Sequence, residues 1–266
     1  MQINRQIWND YFIVDSVPPW PCPRCRVGTL SIATRGPAES KELMLSWLLD
    51  ETRRQAHLRM DGDFDDSDDF GTFAGMLECN RGECRGDVAV LGTWKMHAGE
   101  ADDGEEAEWM GFHPTYFQPA PPMFLLPAHC DRKIAADIYA AFSLYWCDSG
   151  ACANRLRSAL EHLLTTLRVV QCPKAKNTGK HIRSKRLPTH ARIEILHETN
   201  PTVAKLLMAV KWIGNEGSHG GSMKRGDLLN GFELIRHVLN LHYEKHEKHL
   251  TKLSDRIIKR RGRSSP

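Results

Sequence analysis

The sequence predicts an α+β protein in which a β-rich module, residues 1–128, precedes an all-helical module, residues 129–266. Strand-like runs lie in the first module, whereas apolar residues recur every three or four positions after Asp131. The charges divide in the same way: residues 1–130 carry 11 Lys and Arg against 21 Asp and Glu, and residues 131–266 carry 25 against 12. Opposite charge in the two halves indicates two modules of different character.

Nothing in the sequence indicates a membrane or secreted protein. No apolar targeting region follows Met1–Arg5, and the longest apolar run, Met123–Leu126, is far too short to span a bilayer. We therefore expect a cytoplasmic protein, in which cysteines with tight spacing serve metal binding rather than disulfides.

Four of the eight cysteines form two tight pairs. The pairs are Cys22 with Cys25, separated by two residues, and Cys79 with Cys84, separated by four. Strand-like runs at Phe73–Leu77 and Val88–Trp94 flank the second pair like the arms of a β-ribbon. Four thiolates give a closed tetrahedral Zn²⁺ site with no position for water, so we predict a structural zinc in a zinc ribbon. The alternative is reduced cysteines buried as small apolar residues.

The 53 residues between Cys25 and Cys79 exceed a minimal ribbon and predict an insertion. Residues 41–60 predict a helix, and the acidic segment Asp61–Asp69 predicts a solvated loop because it lacks the downstream Glu of an EF-hand calcium loop. Five prolines among aromatic residues at 113–128 predict an extended strap over the core.

Five helices are predicted in the second module. Asp148 or Ser149 caps the second helix, Asn200 caps the fourth, and the fifth extends from about Asp227 to Lys259. The apolar stripes of the first two helices are Ile134, Ile138, Phe142 and Tyr145, and then Cys152, Leu156, Leu160 and Leu163.

Three histidines continue the apolar stripe of the fifth helix. They are His242, His246 and His249, at alternating spacings of four and three. Three imidazoles on one face could bind a metal, but the pattern favours a stripe that leaves the core there and becomes solvated or packs on a partner.

A basic loop separates the second and third helices. Its cations are Lys174, Lys176, Lys180, Arg183, Lys185 and Arg186. Such a loop suits contacts to the phosphates of RNA or DNA. A solvated loop is the alternative, since no aromatic residue is interleaved for base stacking, and the basic half could also dock on the acidic half.

The segment Lys211–His219 places a cation, an amide and an imidazole at the end of an apolar helical run. If the helix continues through it, Lys211, Asn215 and His219 share one face, which suits phosphate binding or proton transfer. Alternatively, Gly214 and Gly217 end the helix and His219 caps it.

The second module resembles a known family, domain of unknown function 4145, which is grouped with the HEPN superfamily of helical bundles. The matching stretches are Ala153–Glu161, Leu187–Leu196 and Lys211–His219, within roughly residues 130–245. The resemblance implies a four- or five-helix bundle, often dimeric, encoded near restriction and anti-phage defence genes. A zinc ribbon in front of such a bundle is also an arrangement seen among these proteins.

Catalytic HEPN domains are metal-independent ribonucleases that use an Arg followed, after four to six residues, by a His. No Arg precedes His219 at that spacing, and the nearest upstream cation, Lys211, has seven intervening residues. Lysine also lacks the bidentate fork that arginine offers a phosphate. The resemblance therefore implies the fold more directly than it implies the activity.

The first hypothesis is a non-catalytic nucleic-acid-binding sensor or adaptor of a prokaryotic anti-phage or restriction-type system. In it, Gly214, Asn215 and His219 build a helix end that Glu161 of a neighbouring helix supports. Its expected partners are RNA or DNA, a second copy of the chain and a defence-system protein.

The second hypothesis is a HEPN-type endoribonuclease. His219 would be the general acid and base, Asn215 would orient the scissile phosphate, and Lys211 would neutralise it. Either Arg155 or Arg157 would assist Lys211. An antitoxin-like protein-binding partner is a further alternative.

Overall fold

The computed structural model describes residues 3–8, 11–36, 42–59, 68–100, 106–172, 186–217, 223–243 and 246–259. It confirms the α+β class, since strands carry the N-terminal part of the chain and helices the C-terminal part. The chain divides into two compact units. The first comprises residues 1–125 together with 139–152, and the second comprises residues 126–138 together with 153–266.

The first unit is built on an antiparallel sheet. Its described elements are β1 (Leu30–Ile32), β2 (Thr34–Arg35), β3 (Glu42–Leu43), β4 (Leu45–Leu49), α1 (Glu51–Arg59), β5 (Phe70–Cys79), β6 (Asp87–Glu100) and β7 (Glu106–Gln118). The main sheet has the order β1-β5-β6-β7, and β4 pairs with β5 on the same edge as β1. Strands β2 and β3 form a separate two-stranded ribbon.

Helices follow the sheet. They are α2 (Arg132–Cys147), α3 (Ser149–Thr166), α4 (Thr189–Thr199), α5 (Pro201–Glu216), α6 (Arg225–Tyr243) and α7 (His246–Lys259). Asp148 Oδ1 accepts a hydrogen bond from Ala151 N at 2.8 Å, and Asn200 Oδ1 accepts one from Val203 N at 3.1 Å, so both predicted caps are confirmed. Among the described helices, none is long and apolar enough to cross a membrane.

The main sheet has one packed face and one open face, because burial alternates along β5 and β6. The packed face is covered by an aromatic core. Trp20 is fully buried and donates from Nε1 to Ile7 O at 2.6 Å, and the rings of Phe117 and Trp146 lie 4.6 Å apart. Other members of this core are Trp8, Phe12, Phe73, Phe112 and Tyr145.

The strand predictions flanking Cys79 and Cys84 are confirmed, since β5 and β6 pair over nine residues of register. The helix predicted over residues 41–60 is wrong in its first half, where β3 and β4 lie. Pairing decides this difference: Leu45–Leu49 forms a ladder with Gly71–Gly75, which lies far along the chain. Part of the predicted strap is also strand, because β7 extends to Gln118.

The second unit has an aliphatic core contributed by α3, α4, α5 and α6. The stripes predicted for the helices are buried, and Leu156, Leu207 and Phe232 are fully so. The fifth predicted helix is described as α6 and α7, and residues 244 and 245 between them lie outside the described residues. His242 is half-buried against Tyr243, while the side chains of His246 and His249 lie outside the described part.

Arg192 of α4 is a buried cation that sequence reasoning did not identify. It is 1 % exposed and satisfies the C-terminal end of α3. Its guanidinium donates to Glu161 O at 3.3 Å, to Thr165 Oγ1 at 3.1 Å and to Val169 O at 3.2 Å. One buried guanidinium thus donates to oxygens of the last turns of α3 and of the segment after it, so Arg192 stabilises α3 against α4.

Candidate metal centre

The two cysteine pairs lie at the tips of two hairpins. In the first hairpin Cys22 N donates to Gly28 O at 2.8 Å, and in the second Cys79 N donates to Gly86 O at 3.0 Å. The residue after each second cysteine takes a left-handed backbone conformation, with φ of 61° at Arg26 and 41° at Arg85. These tight turns aim both sulfurs of each pair in one direction. We call the segments 22–28 and 79–86 the two knuckles.

The four sulfurs form one cluster whose dimensions fit a tetrahedral metal. Cys22 Sγ and Cys84 Sγ are 3.8 Å apart, and Cys25 Sγ and Cys79 Sγ are 3.7 Å apart. All four sulfurs lie within 4.8 Å of one another. A tetrahedral Zn²⁺ with Zn–S bonds of about 2.3 Å requires sulfurs about 3.8 Å apart. The four cysteines therefore meet within metal-binding distance, as the spacing predicted, and the set is compatible with zinc.

The surroundings of the sulfurs shift the pKa values of the cysteines in opposite directions. The backbone N–H of Gly28, 3.3 Å from Cys25 Sγ, and the N–H of Val27 lower the pKa of Cys25 to about 6. Burial raises the pKa of Cys79 to about 12 and also raises the pKa of Cys84. A coordinated cation favours the thiolate form of its ligands, so a metal would offset the cost of burying these sulfurs.

The two knuckles approach each other closely at Gly28. A Cβ at this position would lie 2.5 Å from Cys79 Sγ and 2.9 Å from Asn80 Oδ1. Asn80 also ties the knuckles together, because its side chain accepts from Thr29 N at 3.0 Å and donates to Thr29 Oγ1 at 2.9 Å. The centre is thus preorganised by a glycine and a side-chain amide beside the cysteines.

Four exposed arginines surround the cysteine cluster, and we call them the knuckle arginines. They are Arg24, Arg26, Arg81 and Arg85. Arg24 Cβ lies 3.0 Å from where a Cβ of Gly86 would be, and Arg81 Cγ lies 2.9 Å from the corresponding point at Gly28, so each crosses onto the other knuckle. Among the described residues, the ion pairs of this surface are limited to Arg81 with Glu83, at 3.7 Å. The Arg26 guanidinium lies over the Tyr139 ring, 5.5 Å from its centroid, and the four exposed cations give the knuckles a basic character.

The predicted residues Arg157, Arg186 and Asn215 meet in the second unit around Glu161. Arg157 donates from its terminal nitrogen to Asn215 Oδ1 at 3.2 Å and lies 3.7 Å from Glu161. Arg186 lies 3.5 Å from the same carboxylate, and Thr189 donates to it at 2.8 Å. We call this set the Glu161 network. Its carboxylate neutralises part of the charge that the two arginines could offer a phosphate.

Helix α5 continues past Gly214 and ends at Glu216 with Gly217 as its C-cap, so of the two glycines predicted to end the helix Gly217 does so and Gly214 does not. A Cβ at Gly214 would lie 2.8 Å from Arg157 Cβ and 3.3 Å from Ala153 O, which shows that this glycine lets α5 pack closely on α3. The Lys211 ammonium lies 3.6 Å from the centroid of the Trp212 ring and so makes a cation–π contact. His219 lies outside the described residues, as do Lys174, Lys176, Lys180, Arg183 and Lys185.

Arg155 belongs to a different cluster, which sequence reasoning missed. Its guanidinium donates to Asp137 Oδ1 at 3.2 Å, and His162 Nε2 lies 3.6 Å from Asp137 Oδ2. The Asp137 side chain is 10 % exposed, whereas that of His162 is 41 % exposed. The available signal was His162 itself, which follows Arg155 after six residues and Arg157 after four. We call Asp137, Arg155 and His162 the Asp137 cluster.

Comparison with protein families gives two matches. Residues 139–260 match the domain of unknown function DUF4145. This match confirms the predicted resemblance to domain of unknown function 4145 itself, and it contains the Glu161 network and two members of the Asp137 cluster. Residues 10–121, with all four clustered cysteines, match a second domain of unknown function, DUF8608. No curated protein and no solved structure matches the chain.

Proposed function

We propose that the four cysteines hold one structural zinc ion and that the surrounding module is a zinc ribbon with an insertion between its knuckles. The geometry of the sulfur cluster carries this proposal. All four coordination positions come from the protein, so the ion has no open position for water or substrate. A closed tetrathiolate site contributes to folding rather than to catalysis.

Elemental analysis of protein purified without chelator tests the zinc assignment. We expect about one zinc per chain, and we expect that Cys22→Ser loses most of it while Cys172→Ser, at an exposed cysteine outside the cluster, keeps it. Less than about half an equivalent of zinc in the wild-type chain would contradict the proposal.

We further propose that the chain binds RNA or DNA through phosphate contacts and acts as a non-catalytic sensor or adaptor of a prokaryotic anti-phage or restriction-type system. The knuckle arginines carry this proposal within the described residues. They are exposed and mostly unneutralised by carboxylates, whereas Arg155, Arg157 and Arg186 face Asp137 or Glu161. Guanidinium groups arranged on a rigid surface are suited to phosphate oxygens. The defence context comes from the resemblance.

A competing role for the knuckle arginines is charge compensation, because a zinc bound by four thiolates carries a net charge of about −2. The two roles differ in their dependence on salt. Phosphate contacts release counterions, so the logarithm of affinity falls linearly with the logarithm of salt concentration. Charge compensation affects zinc retention and leaves nucleic-acid affinity unchanged.

The double variant Arg24→Gln/Arg81→Gln separates these roles. Losing two phosphate contacts reduces the steepness of the plot of log affinity against log salt concentration by about 1.4 for a single strand. The matched control is Arg35→Gln/Arg54→Gln, which removes the same charge from two exposed arginines of the same unit. Equal slopes for the two double variants, or binding that ignores salt, would refute phosphate binding at the knuckles.

A second candidate function is a metal-independent endoribonuclease, and the Asp137 cluster is the observation that favours it. The spacing of Arg155 and Arg157 relative to His162 agrees with the catalytic pattern that the resemblance implies. A buried carboxylate can orient an imidazole, and the imidazole can then serve as general acid and base beside an arginine-bound phosphate. The Asp137 cluster therefore offers a described alternative to His219.

Cleavage of labelled RNA without added divalent metal tests this candidate. If His162 is the acid and base, His162→Ala lowers the cleavage rate by about two to four orders of magnitude. His190→Ala, which removes an exposed histidine paired with Glu194 at 3.3 Å, is the control. His219→Ala is measured in parallel. Cleavage that survives both His162→Ala and His219→Ala would exclude both histidines as the general acid and base.

A further inference from the structure

The open face of the main sheet carries a row of aromatic and imidazole rings. Side chains of alternate residues on β5, β6 and β7 point to this face, and the pairing places Leu91 opposite Tyr116 and His97 opposite Trp109. Phe70 and Leu91 are each 45 % exposed and Tyr116 is 40 % exposed. Large exposed apolar surfaces on a folded protein mark interaction sites.

The rings at one end of this face are held in a stack. The His97 ring lies 4.5 Å from the Tyr11 ring and 5.9 Å from the Trp109 ring, with interplanar angles of 24° and 4°. His97 Nε2 and His113 Nε2 are 3.1 Å apart. Gly111 lies beneath this stack, since a Cβ there would come within 2.5 Å of His97 Nε2. These contacts fix the rings in place before any partner binds.

The same face lacks carboxylates along most of its length. From the Met76 and Ala89 pair to the His97 and Trp109 pair, the described residues that point to it include no Asp or Glu. Among them, the side chains that can carry a positive charge are Lys95, His97 and His113. This absence contrasts with the 21 Asp and Glu of residues 1–130. A surface that has exposed aromatic side chains and no carboxylates is suited to an anionic partner that carries planar aromatic groups.

The face extends toward the knuckles, and the facing pair Glu78 and Asp87 lies between its carboxylate-free part and the knuckle residues. Strand β5 ends at Cys79, and β6 begins at Asp87, directly after the second knuckle. Along β6, His97 lies eight positions after Ala89, which at about 3.3 Å per residue is about 26 Å. This length exceeds the space needed for a few extended nucleotides.

We propose that this open face binds single-stranded nucleic acid by stacking bases on its rings, while the knuckle arginines contact the phosphates at one end. The proposal rests on the nucleic-acid binding proposed above and names its substrate class. Base stacking on aromatic side chains tolerates any base sequence and requires unpaired bases. A duplex has its bases stacked internally and cannot use this face.

The test compares zinc-loaded full-length variants in binding a fluorescein-labelled single strand of about 12 nucleotides and a duplex of the same length. Phe70→Ala and Tyr116→Ala remove exposed rings, so the fold is expected to persist. Each variant weakens binding of the single strand by roughly 5- to 100-fold and leaves duplex binding unchanged. Trp212→Ala, at a ring that is 58 % exposed in the second unit, is the matched control and keeps wild-type affinity.

Two results would overturn the inference and leave the proposed function intact. The first is salt-dependent binding that is equal for single strand and duplex and indifferent to Phe70→Ala and Tyr116→Ala. The second is a change of sedimentation mass in these variants without a change of oligonucleotide affinity, which would identify the face as a protein interface. Absence of binding to any nucleic acid at low salt would refute both the inference and the nucleic-acid function.

Discussion

Replacing Gly28 with alanine tests whether the two knuckles form a single metal centre. In the structure a Cβ at residue 28 would lie 2.5 Å from Cys79 Sγ and 2.9 Å from Asn80 Oδ1. Ordinary non-bonded contact begins near 3.5 Å, so the sulfur or the backbone must move by about 1 Å. Zinc ligands tolerate displacements of only about 0.2 Å. The variant therefore cannot keep both the packing of the two knuckles and the tetrahedral arrangement of the four sulfurs.

The expected cost follows from these distances. Overpacking of a well-ordered site costs about 1–3 kcal/mol. If that cost falls on the metal-bound state, zinc affinity decreases by roughly 5- to 150-fold, since about 1.4 kcal/mol corresponds to a factor of ten. The natural control is Gly82→Ala, because Gly82 also lies in a knuckle but nothing is within 4 Å of its added Cβ. This control introduces the same methyl group without the contact.

Competition against a chromophoric zinc chelator measures both variants under identical conditions. We expect Gly82→Ala to bind zinc like the wild-type chain and Gly28→Ala to release it at a clearly lower chelator concentration. Equal zinc affinities in the two variants would show that the knuckles do not approach each other as described, and the reasoning from the sulfur geometry would then fail.

Three further perturbations test other parts of the structure. Arg192→Met removes the buried guanidinium that donates to Glu161 O, Thr165 Oγ1 and Val169 O, and it lowers the free energy of unfolding by about 2–4 kcal/mol in urea denaturation, whereas Arg186→Met changes it by less than about 0.5 kcal/mol. Gly214→Ala destabilises the chain by about 1–3 kcal/mol despite the better helix propensity of alanine. The control Gly226→Ala, whose added Cβ meets no atom within 4 Å, is neutral or stabilising in thermal melting. Equal shifts of the melting temperature in the two variants would contradict close helix packing at Gly214. Burial, with a smaller effect of Lys95, lowers the pKa of His97 in the folded chain. Protonation of His97 therefore opposes folding. The stability that depends on neutral His97 is present above about pH 6.5 and is lost as the pH falls toward the pKa of His97 in the folded chain. His97→Phe therefore reduces the loss of unfolding free energy between about pH 7.5 and pH 5.5, and an unchanged pH profile would show that His97 does not contribute.

Local patterns in the sequence predicted the elements whose causes are local. The spacing within each cysteine pair depends on a turn of a few residues, and the caps at Asp148 and Asn200 depend on one side chain and the next turn of helix. These predictions are confirmed in the structure. Helical stripes were also predictable, because apolar spacing reports the buried face of a helix directly.

Features that depend on distant pairing were not predictable in this way. Strand β4 exists because Leu45–Leu49 pairs with β5, and the apolar composition of that segment fits a helix equally well. The Asp137 cluster joins α2 to α3, and the knuckle arginines gain their common surface only when the two hairpin tips meet. Their residue types are ordinary for solvated surfaces, so position in the fold is what distinguishes them.

The division of α2 and α3 has a consequence for how this protein can be dissected. Residues 139–152, which include the buried Phe142, Tyr145 and Trp146, belong to the first compact unit. They are separated from the rest of that unit by residues 126–138, which belong to the second. No single peptide bond therefore separates the two units, and a fragment ending at residue 128 lacks three large side chains of its own core. The region matched at 10–121 is shorter than the compact unit that contains it. Experiments that assign zinc or nucleic-acid binding to one unit are therefore best made with substitutions within the intact chain.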